Sequence, residues 1–164
     1  MFSHAPEAEF SLAISGLIRE GHGVASGRAD SCPYPEGTLA LQIPLFRERG
    51  VDLDAFFRGT LNVDIAPLRF QLVDPDVTLQ NVAWTGRIPP EHFSFCACWL
   101  EVHGSSHQAL VYHPHPETNA EHFQNASLIE VLARFVGDVM PGLDVTLRMR
   151  PRQVRWMAPA DPCA

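Results

Sequence analysis

Residues 59–66 read GTLNVDIA, and after the opening glycine their polar and apolar side chains alternate one by one. This period of two is typical of a β-strand that buries one face and exposes the other. Residues 37–44, GTLALQIP, start with the same three residues, and we interpret them as a second strand of this kind. A duplicated half-barrel would explain the match between the two stretches, and so would a chance similarity between strands.

Further stretches with the composition of strands lie on both sides of this segment. They are separated by most of the 14 prolines and 11 glycines, which favour short connections. Many short strands at this spacing predict a barrel or a sandwich rather than a parallel α/β sheet. The stretches are 10–19, 69–73, 77–84, 93–102, 108–113 and 143–149.

Two stretches predict helix. In residues 127–136, SLIEVLARFV, apolar side chains recur at the spacing of one helix face, and Ser127 with Glu130 fits a capping box. Residues 52–57 predict a short helical turn with Asp52 as its N-cap. The sequence therefore predicts a mainly β fold with one α-helix in the C-terminal half.

The composition is that of a globular protein. The chain has 164 residues, of which 46% are hydrophobic and 19% charged, and this length is enough to bury a full core. We expect a single domain over residues 1–164, with its core at about 10–152 and loosely held termini. The formal net charge of −7 argues against general nucleic-acid binding. All 12 basic residues are arginines, so arginines, backbone amides or a metal would have to bind any phosphate.

Neither a secretory signal nor a membrane span is apparent in the sequence. Residues 1–10 are acidic and lack an apolar core. The longest apolar run has about ten residues, whereas a membrane helix needs roughly twenty. Cys96 and Cys98 lie two apart in an apolar stretch, where a disulfide between them would be strained, so we interpret them as buried free thiols. We expect a cytoplasmic protein with no membrane partner.

The segment Gly59–Asn62 is the first candidate site. Glycine lets a ligand approach the backbone closely, and Thr60 and Asn62 lie two apart on an extended segment, so their oxygens point the same way. A neutral hydroxyl and a neutral amide oxygen suit a Mg²⁺ ion that keeps waters and shares phosphate oxygens. The alternative is a turn before a strand, in which both side chains bond to nearby backbone.

A glycine-rich stretch, GHGVASGR at 21–28, is the second candidate, and it follows the first predicted strand. Its repeated glycines expose backbone amides that can bind an anion, and Arg28 adds positive charge. The stretch fits neither a P-loop nor the dinucleotide-binding fingerprint. A plain glycine-rich loop is the alternative.

The third candidate is a histidine-rich segment. His113, His115 and Glu117 alternate with two prolines, so the segment is expected to be extended. Imidazoles and a carboxylate suit Zn²⁺ or another transition metal. Prolines also favour three residues per turn, which would scatter these side chains, so solvated loop residues are the alternative.

Glu130 is the fourth candidate. A carboxylate beside a cavity can orient a polar ring or a hydroxyl group of a ligand. The capping box with Ser127 explains the same residue without a ligand.

Taken in order, these segments resemble the CTP-dependent riboflavin kinases of archaea, which phosphorylate riboflavin to FMN. RGTLNV at 58–63 resembles the family's PGTLNV signature, and SLIEVLA at 127–133 resembles its EIIEIIAP stretch. GLDVTL at 142–147 resembles its closing DGDxVxI strand. With the glycine-rich turn after the first strand, the resemblance covers about residues 14–150.

The resemblance implies a small closed six-stranded cradle-loop (RIFT-like) barrel. It also implies transfer of a phosphoryl group from CTP to riboflavin or a related small molecule, with Mg²⁺ at Thr60 and Asn62. Glu130 and Asn125 would bind the substrate. The residues that would meet the nucleotide are Gly21, His22, Gly23, Gly27 and Arg28.

Three hypotheses for function follow. The first is the kinase. The second is a non-catalytic protein of the same fold that binds a nucleotide, a flavin or another small polar ligand, because the glycine-rich turn lacks the acidic residue of the family and Arg58 replaces a proline. The third is a metal protein based on His113, His115 and Glu117. All three expect a small ligand rather than a nucleic acid.

Overall fold

Strands make up most of the regular structure. The computed structural model describes residues 7–20, 34–119, 125–134 and 136–158, and within them a short 3₁₀ helix at Glu7–Glu9 precedes the first strand. The strands and the helix α1 are β1 (Leu12–Arg19), α1 (Thr38–Glu48), β2 (Leu61–Asp64), β3 (Arg69–Leu72), β4 (Val77–Val82), β5 (Glu91–Val102), β6 (Ser105–Pro114), β7 (Leu128–Ala133), β8 (Asp144–Met149) and β9 (Val154–Met157).

Six strands close into an antiparallel barrel in the order β5-β6-β7-β2-β1-β8, and β8 pairs back onto β5. At the closure, Trp99–Glu101 of β5 pair with Thr146–Arg148 of β8. β4 pairs with the N-terminal part of β5, and β3 and β9 form a separate two-stranded ribbon. The prediction of a mainly β fold with a closed six-stranded barrel and one helix is confirmed.

Alternate residues of the barrel strands fill the barrel interior. Cys96, Cys98 and Leu100 of β5 pack there with Val131 of β7 and Leu147 of β8. Both cysteines are buried free thiols, as predicted. Burial raises the pKa of the Cys96 thiol to about 12, and that of Cys98 also lies far above its ordinary value, so both stay protonated and unreactive.

Helix α1 covers the outer face of β5 and β6. Leu39, Ile43 and Phe46 recur at helical spacing and pack on that face. The Phe46 ring meets the rings of Phe93 and Phe95 edge-on, with centroids 5.0 and 5.2 Å apart. Among the described residues no helix is long and apolar enough to cross a membrane.

The prediction of a strand at residues 37–44 is wrong, because α1 begins there. The apolar residues of this stretch fit a helix face as well as a strand, and the large apolar outer face of the barrel selects the helix. Gly37, just before the helix, has a φ of 84°, which favours glycine. The match to residues 59–66 therefore does not reflect two equivalent strands, since only the second stretch contributes to the barrel.

The prediction of a C-terminal-half helix at residues 127–136 is also wrong, because Leu128–Ala133 form β7. Ile129 and Val131 point into the barrel while Leu132 packs on the outer core. A strand buried on both faces gives a nearly continuous apolar run, which resembles a buried helix in sequence. Instead of capping a helix, the Ser127 hydroxyl donates a hydrogen bond to Asp64 Oδ1 at 3.0 Å.

Two smaller predictions also need correction. Asp52 accepts a hydrogen bond from the Asp54 N–H at 3.0 Å in a local turn, and no helix forms at residues 52–57. Ordered structure continues past the predicted core boundary at residue 152, because Val154–Met157 pair with β3.

Gly16 lies in β1 where the chain passes close to β2. A Cβ atom at this position would lie 2.6 Å from Val63 Cγ1 and 2.9 Å from the carbonyl oxygen of Asp64. Because that oxygen belongs to the backbone, we expect Gly16→Ala to lower the free energy of unfolding by about 1–3 kcal/mol, measured by urea denaturation.

The matched control is Gly86→Ala, since a Cβ at Gly86 would meet no atom within 4 Å. We expect this control to change the free energy of unfolding by at most about 0.5 kcal/mol. Equal stability of the two variants would contradict the close approach of β1 to β2.

Candidate functional site

A cleft of about 620 Å³ opens where β6 and β7 separate. The pairing of these strands ends at Val111 and Val131. Beyond this point β6 stays with β5 as far as Pro114, whereas β7 stays with β2 as far as Leu128. The C-terminal end of β6 and the N-terminal end of β7 therefore diverge, and the ribbon of β3 lies over the opening.

The cleft brings together residues that the sequence predicted as two separate groups. Glu130 and Asn125, the predicted substrate-binding residues, line it. His113, His115 and Glu117, the predicted alternative metal ligands, line it as well. Their roles remain predictions, but their common location makes this cleft the candidate site.

Asn62 lies beside the cleft. It pairs across strands with Glu130 of β7 and with Arg19 of β1. Direct cross-strand partners point to the same face, with Cβ atoms about 4.5–5.5 Å apart. Arg19, Asn62 and Glu130 therefore form a row on the outer face of three adjacent strands, which we call the β1–β2–β7 row.

The structure does not place the predicted Mg²⁺ ligands in the cleft wall. Neither Thr60 nor Asn62 is among the residues that line the cleft. Thr60 is partly exposed just before β2, and Asn62 is 6% exposed. Of this pair, Asn62 is linked to the cleft only through its neighbour Glu130.

The predicted nucleotide-contacting residues lie outside the described part of the chain. They are Gly21, His22, Gly23, Gly27 and Arg28. The last described residue before them is Glu20, which follows the end of β1 at Arg19.

Asp64 fixes the position of the β7 side of the cleft. Its carboxylate accepts hydrogen bonds from Arg19 Nε at 3.1 Å, from the Ser127 hydroxyl at 3.0 Å and from the Ala66 N–H at 3.0 Å. Burial acts to raise the pKa of Asp64, but these hydrogen bonds outweigh it and hold the pKa below its ordinary value of 3.8. Asp64 is therefore charged at neutral pH and joins β1, β2 and the start of β7.

His115 is the centre of a hydrogen-bonded chain on the opposite side of the cleft. Its Nε2 lies 2.7 Å from Ser94 Oγ, and its Nδ1 lies 2.9 Å from Glu117 Oε1. Ser94 Oγ in turn lies 2.7 Å from Thr78 Oγ1. All four residues line the cleft.

Sequence reasoning missed Ser94 and Thr78. They are cross-strand partners on β5 and β4, which are joined by a long connection, so their contact requires the sheet register. Ser94 lies within the apolar stretch FSFCACW, where a lone serine gives no functional signal.

The predicted metal set is not assembled as a metal centre. Within the described ranges, no group of three or more His, Cys, Asp or Glu side chains could hold a metal ion. Both ring nitrogens of His115 already face protein partners, Ser94 and Glu117. The His113 ring packs edge-on against Phe70, with centroids 5.6 Å apart. The three side chains are nevertheless close, because the His113 and His115 ring centroids lie 5.6 Å apart and His115 is bonded to Glu117.

Burial and the hydrogen bonds of His115 set the ionisation states in the cleft. Burial lowers the pKa of His113 to about 4, and the neighbouring His115 contributes to this, so His113 is neutral at pH 7. The N–H of Glu117 and its bond to His115 hold the pKa of that carboxyl below its ordinary value of 4.5. Glu117 is therefore an ionised acceptor.

Tyr112 connects the cleft to helix α1. Its hydroxyl donates a hydrogen bond to Gln42 Oε1 at 2.9 Å. Burial raises the pKa of Tyr112 well above its ordinary value, and the negative charges of Glu130 and Glu91 raise it further. The Tyr112 ring is thus a neutral part of the cleft wall that lies within the field of Glu130.

Comparison of the chain with protein family models gave no match, and comparison with curated proteins gave no significant relative. The resemblance described above therefore remains one of short motifs. In the structure, Asn62 and Glu130, one residue from each of two motifs, are cross-strand partners.

The neutral state of buried His113 predicts a pH dependence of stability. The pKa of His113 is below that of an unfolded histidine, so the unfolded chain binds a proton that the folded chain does not. The stabilisation is complete above pH 6.5 and is lost as the pH falls to about 4, by about 3 kcal/mol in total. We expect urea denaturation at several pH values to show that the free energy of unfolding falls less steeply with decreasing pH in His113→Gln than in the wild type.

The control is His107→Gln, at the other end of β6 and outside the cleft. Its pH profile should run parallel to that of the wild type. Parallel profiles for His113→Gln and the wild type would show that His113 is not held neutral.

Proposed function

We propose that the protein binds a small molecule with a planar ring and hydroxyl groups in the cleft between β6 and β7. The observation that carries this proposal is the cleft of about 620 Å³ with Glu130 and Asn125 in its wall. Ligand sites of about 300–1,000 Å³ are typical for small molecules. Apolar side chains such as Phe70, Leu72 and Leu128 supply contact area for a ring.

The sequence resemblance implies riboflavin and FMN as the ligands, and the polar and apolar groups of the cleft wall support this choice. The ribityl hydroxyls can donate hydrogen bonds to the Glu130 carboxylate and to the Asn125 side-chain oxygen. The neutral His113 ring, edge-on to Phe70, adds a flat and uncharged surface for an aromatic ring.

The first test is a thermal-shift panel of riboflavin, FMN, CTP and ATP, each with and without Mg²⁺. A ligand at one hundred times its Kd stabilises the folded state by about 2.7 kcal/mol, so riboflavin or FMN should raise the Tm. Glu130→Gln should weaken or abolish this shift.

Glu48→Gln serves as the control, because Glu48 is exposed at the end of α1 and does not line the cleft. It should retain the full ligand-dependent shift. A wild-type protein that none of the four ligands stabilises would contradict the proposed binding function.

The second candidate function is Mg²⁺-dependent transfer of a phosphoryl group from CTP to a hydroxyl of the bound ligand. The β1–β2–β7 row favours it, because Asn62 lies between Glu130 and Arg19 on adjacent strands. Glu130 would orient the hydroxyl, and Thr60 and Asn62 would bind the ion, as the resemblance implies. Positioning and charge neutralisation would then supply the catalysis.

This activity requires the buried amide oxygen of Asn62 to become accessible to the ion when the ligands bind. We expect Asn62→Ala to reduce FMN formation from riboflavin and CTP by about 100-fold or more, because the ion loses a ligand. The measurement is FMN production by chromatography, with the Tm as a check on folding.

Gln80→Ala, at an exposed position of β4, is the matched control and should leave FMN formation unchanged. Equal turnover by Asn62→Ala and the wild type would rule out the metal role. Wild-type protein that binds riboflavin but forms no FMN would support the binding function and contradict the kinase activity.

A further inference from the structure

Ser94, His115 and Glu117 are joined by hydrogen bonds in the order that activates a serine hydroxyl. We propose that Ser94 is a nucleophile that accepts a short acyl group from an ester bound in the cleft, and that the protein hydrolyses such esters. This inference uses the same cleft as the proposed binding function and assigns it a chemistry that no sequence motif indicates.

The direction of the hydrogen bonds follows from the acceptor at one end. Glu117 as a carboxylate can only accept, so His115 Nδ1 carries the proton of this 2.9 Å contact. In the neutral ring Nε2 then has a free lone pair, and it faces Ser94 Oγ at 2.7 Å. Ser94 therefore donates to His115, and its oxygen accepts a hydrogen bond from the Thr78 hydroxyl.

This arrangement matches the roles of nucleophile, general base and orienting carboxylate. Backbone bonds hold this base in place. The backbone N–H of His115 donates to the His92 carbonyl at 2.9 Å, and the backbone N–H of His92 donates to Thr118 Oγ1 at 2.9 Å. The imidazole is thus positioned by backbone bonds on one side and by Glu117 on the other.

A second observation points to a polar ligand in the same place. Asn119 lines the cleft, and its buried Oδ1 atom has no hydrogen-bond partner within the described structure. Buried polar atoms are nearly always paired, so an unpaired one in a cleft indicates a group that arrives with the ligand. The alcohol part of an ester can supply such a donor if it carries a second hydroxyl.

The reaction balances with water as the only co-reactant. The Ser94 oxygen attacks the ester carbonyl carbon while its proton passes to His115 Nε2, and the bond between carbon and the alkoxy oxygen breaks. The proton then goes to the leaving alcohol. Water attacks the acyl group on Ser94, His115 takes its proton and returns it to the serine oxygen, and the carboxylic acid leaves.

The burial of Ser94 limits the size of the acyl group. Its side chain is 1% exposed, whereas its partner Thr78 is exposed at the surface. An acyl group must therefore approach past Thr78, and only a short one such as acetyl fits against the serine. We accordingly expect acetate esters to react faster than esters of long acids.

The test uses p-nitrophenyl acetate with the full-length protein. The wild type should release p-nitrophenol above the buffer rate, and peptide mapping of the quenched reaction should find acetyl on Ser94. Ser94→Ala should lose about 100-fold or more of the rate, and Glu117→Gln should lose rate and alter its pH profile, because the carboxylate fixes the His115 tautomer.

The control is Ser106→Ala, an exposed serine of β6 outside the cleft, which should keep the wild-type rate. A wild-type rate in Ser94→Ala, or acetyl found only on other residues, would overturn the inference. Peptide mapping of the wild type decides the question even if Ser94→Ala does not fold.

The outcome is separable from that of the binding proposal. Stabilisation by riboflavin without acetylation of Ser94 would refute the nucleophile and leave flavin binding intact. Acetylation of Ser94 without stabilisation by any flavin or nucleotide would support the nucleophile and refute the flavin site.

Discussion

Pairing along both edges of β5 is the constraint on which the rest of the structure depends. One edge pairs with β6 from Val102 back to Phe93, and the other is shared between β4 at its N-terminal end and β8 at Trp99–Glu101. The short contact with β8 closes the barrel, and the ion pair between Glu101 and Arg148 spans it. Beyond Val111, β6 stays paired with β5 and β7 stays paired with β2, but β6 and β7 no longer pair with each other. The cleft lies at this point.

The two walls of the cleft differ in chemistry because they belong to different strand pairs. The β7 wall carries Glu130 and continues through Asn62 to the end of β1, and the bonds of Asp64 hold these strands together. The opposite wall carries Ser94 and His115, which the backbone bonds beyond β6 position. A ligand in the cleft would therefore meet a carboxylate on one side and an activated hydroxyl on the other.

Local patterns in the sequence were sufficient for seven of the nine described strands. They missed β9, and they did not decide between strand and helix at two apolar stretches. Residues 37–44 form a helix because the outer face of β5 needs a cover, and residues 128–133 form a strand because both faces are buried. Glu130 and His115 were singled out from the sequence, His115 as a metal ligand, and both line the cleft. Ser94 could not be found, since its role arises from contacts between β4, β5 and the turn after β6.

The separation of β6 from β7 is tested most directly by NMR, through short contacts between backbone protons of the two strands. The structure predicts such contacts for the paired residues Leu110 and Leu132 and none between Tyr112 and Glu130, where continued pairing would place them opposite each other. Cross-strand contacts that continue through Tyr112 and Glu130 would show a closed sheet without a cleft, and would contradict the site on which the functional account depends.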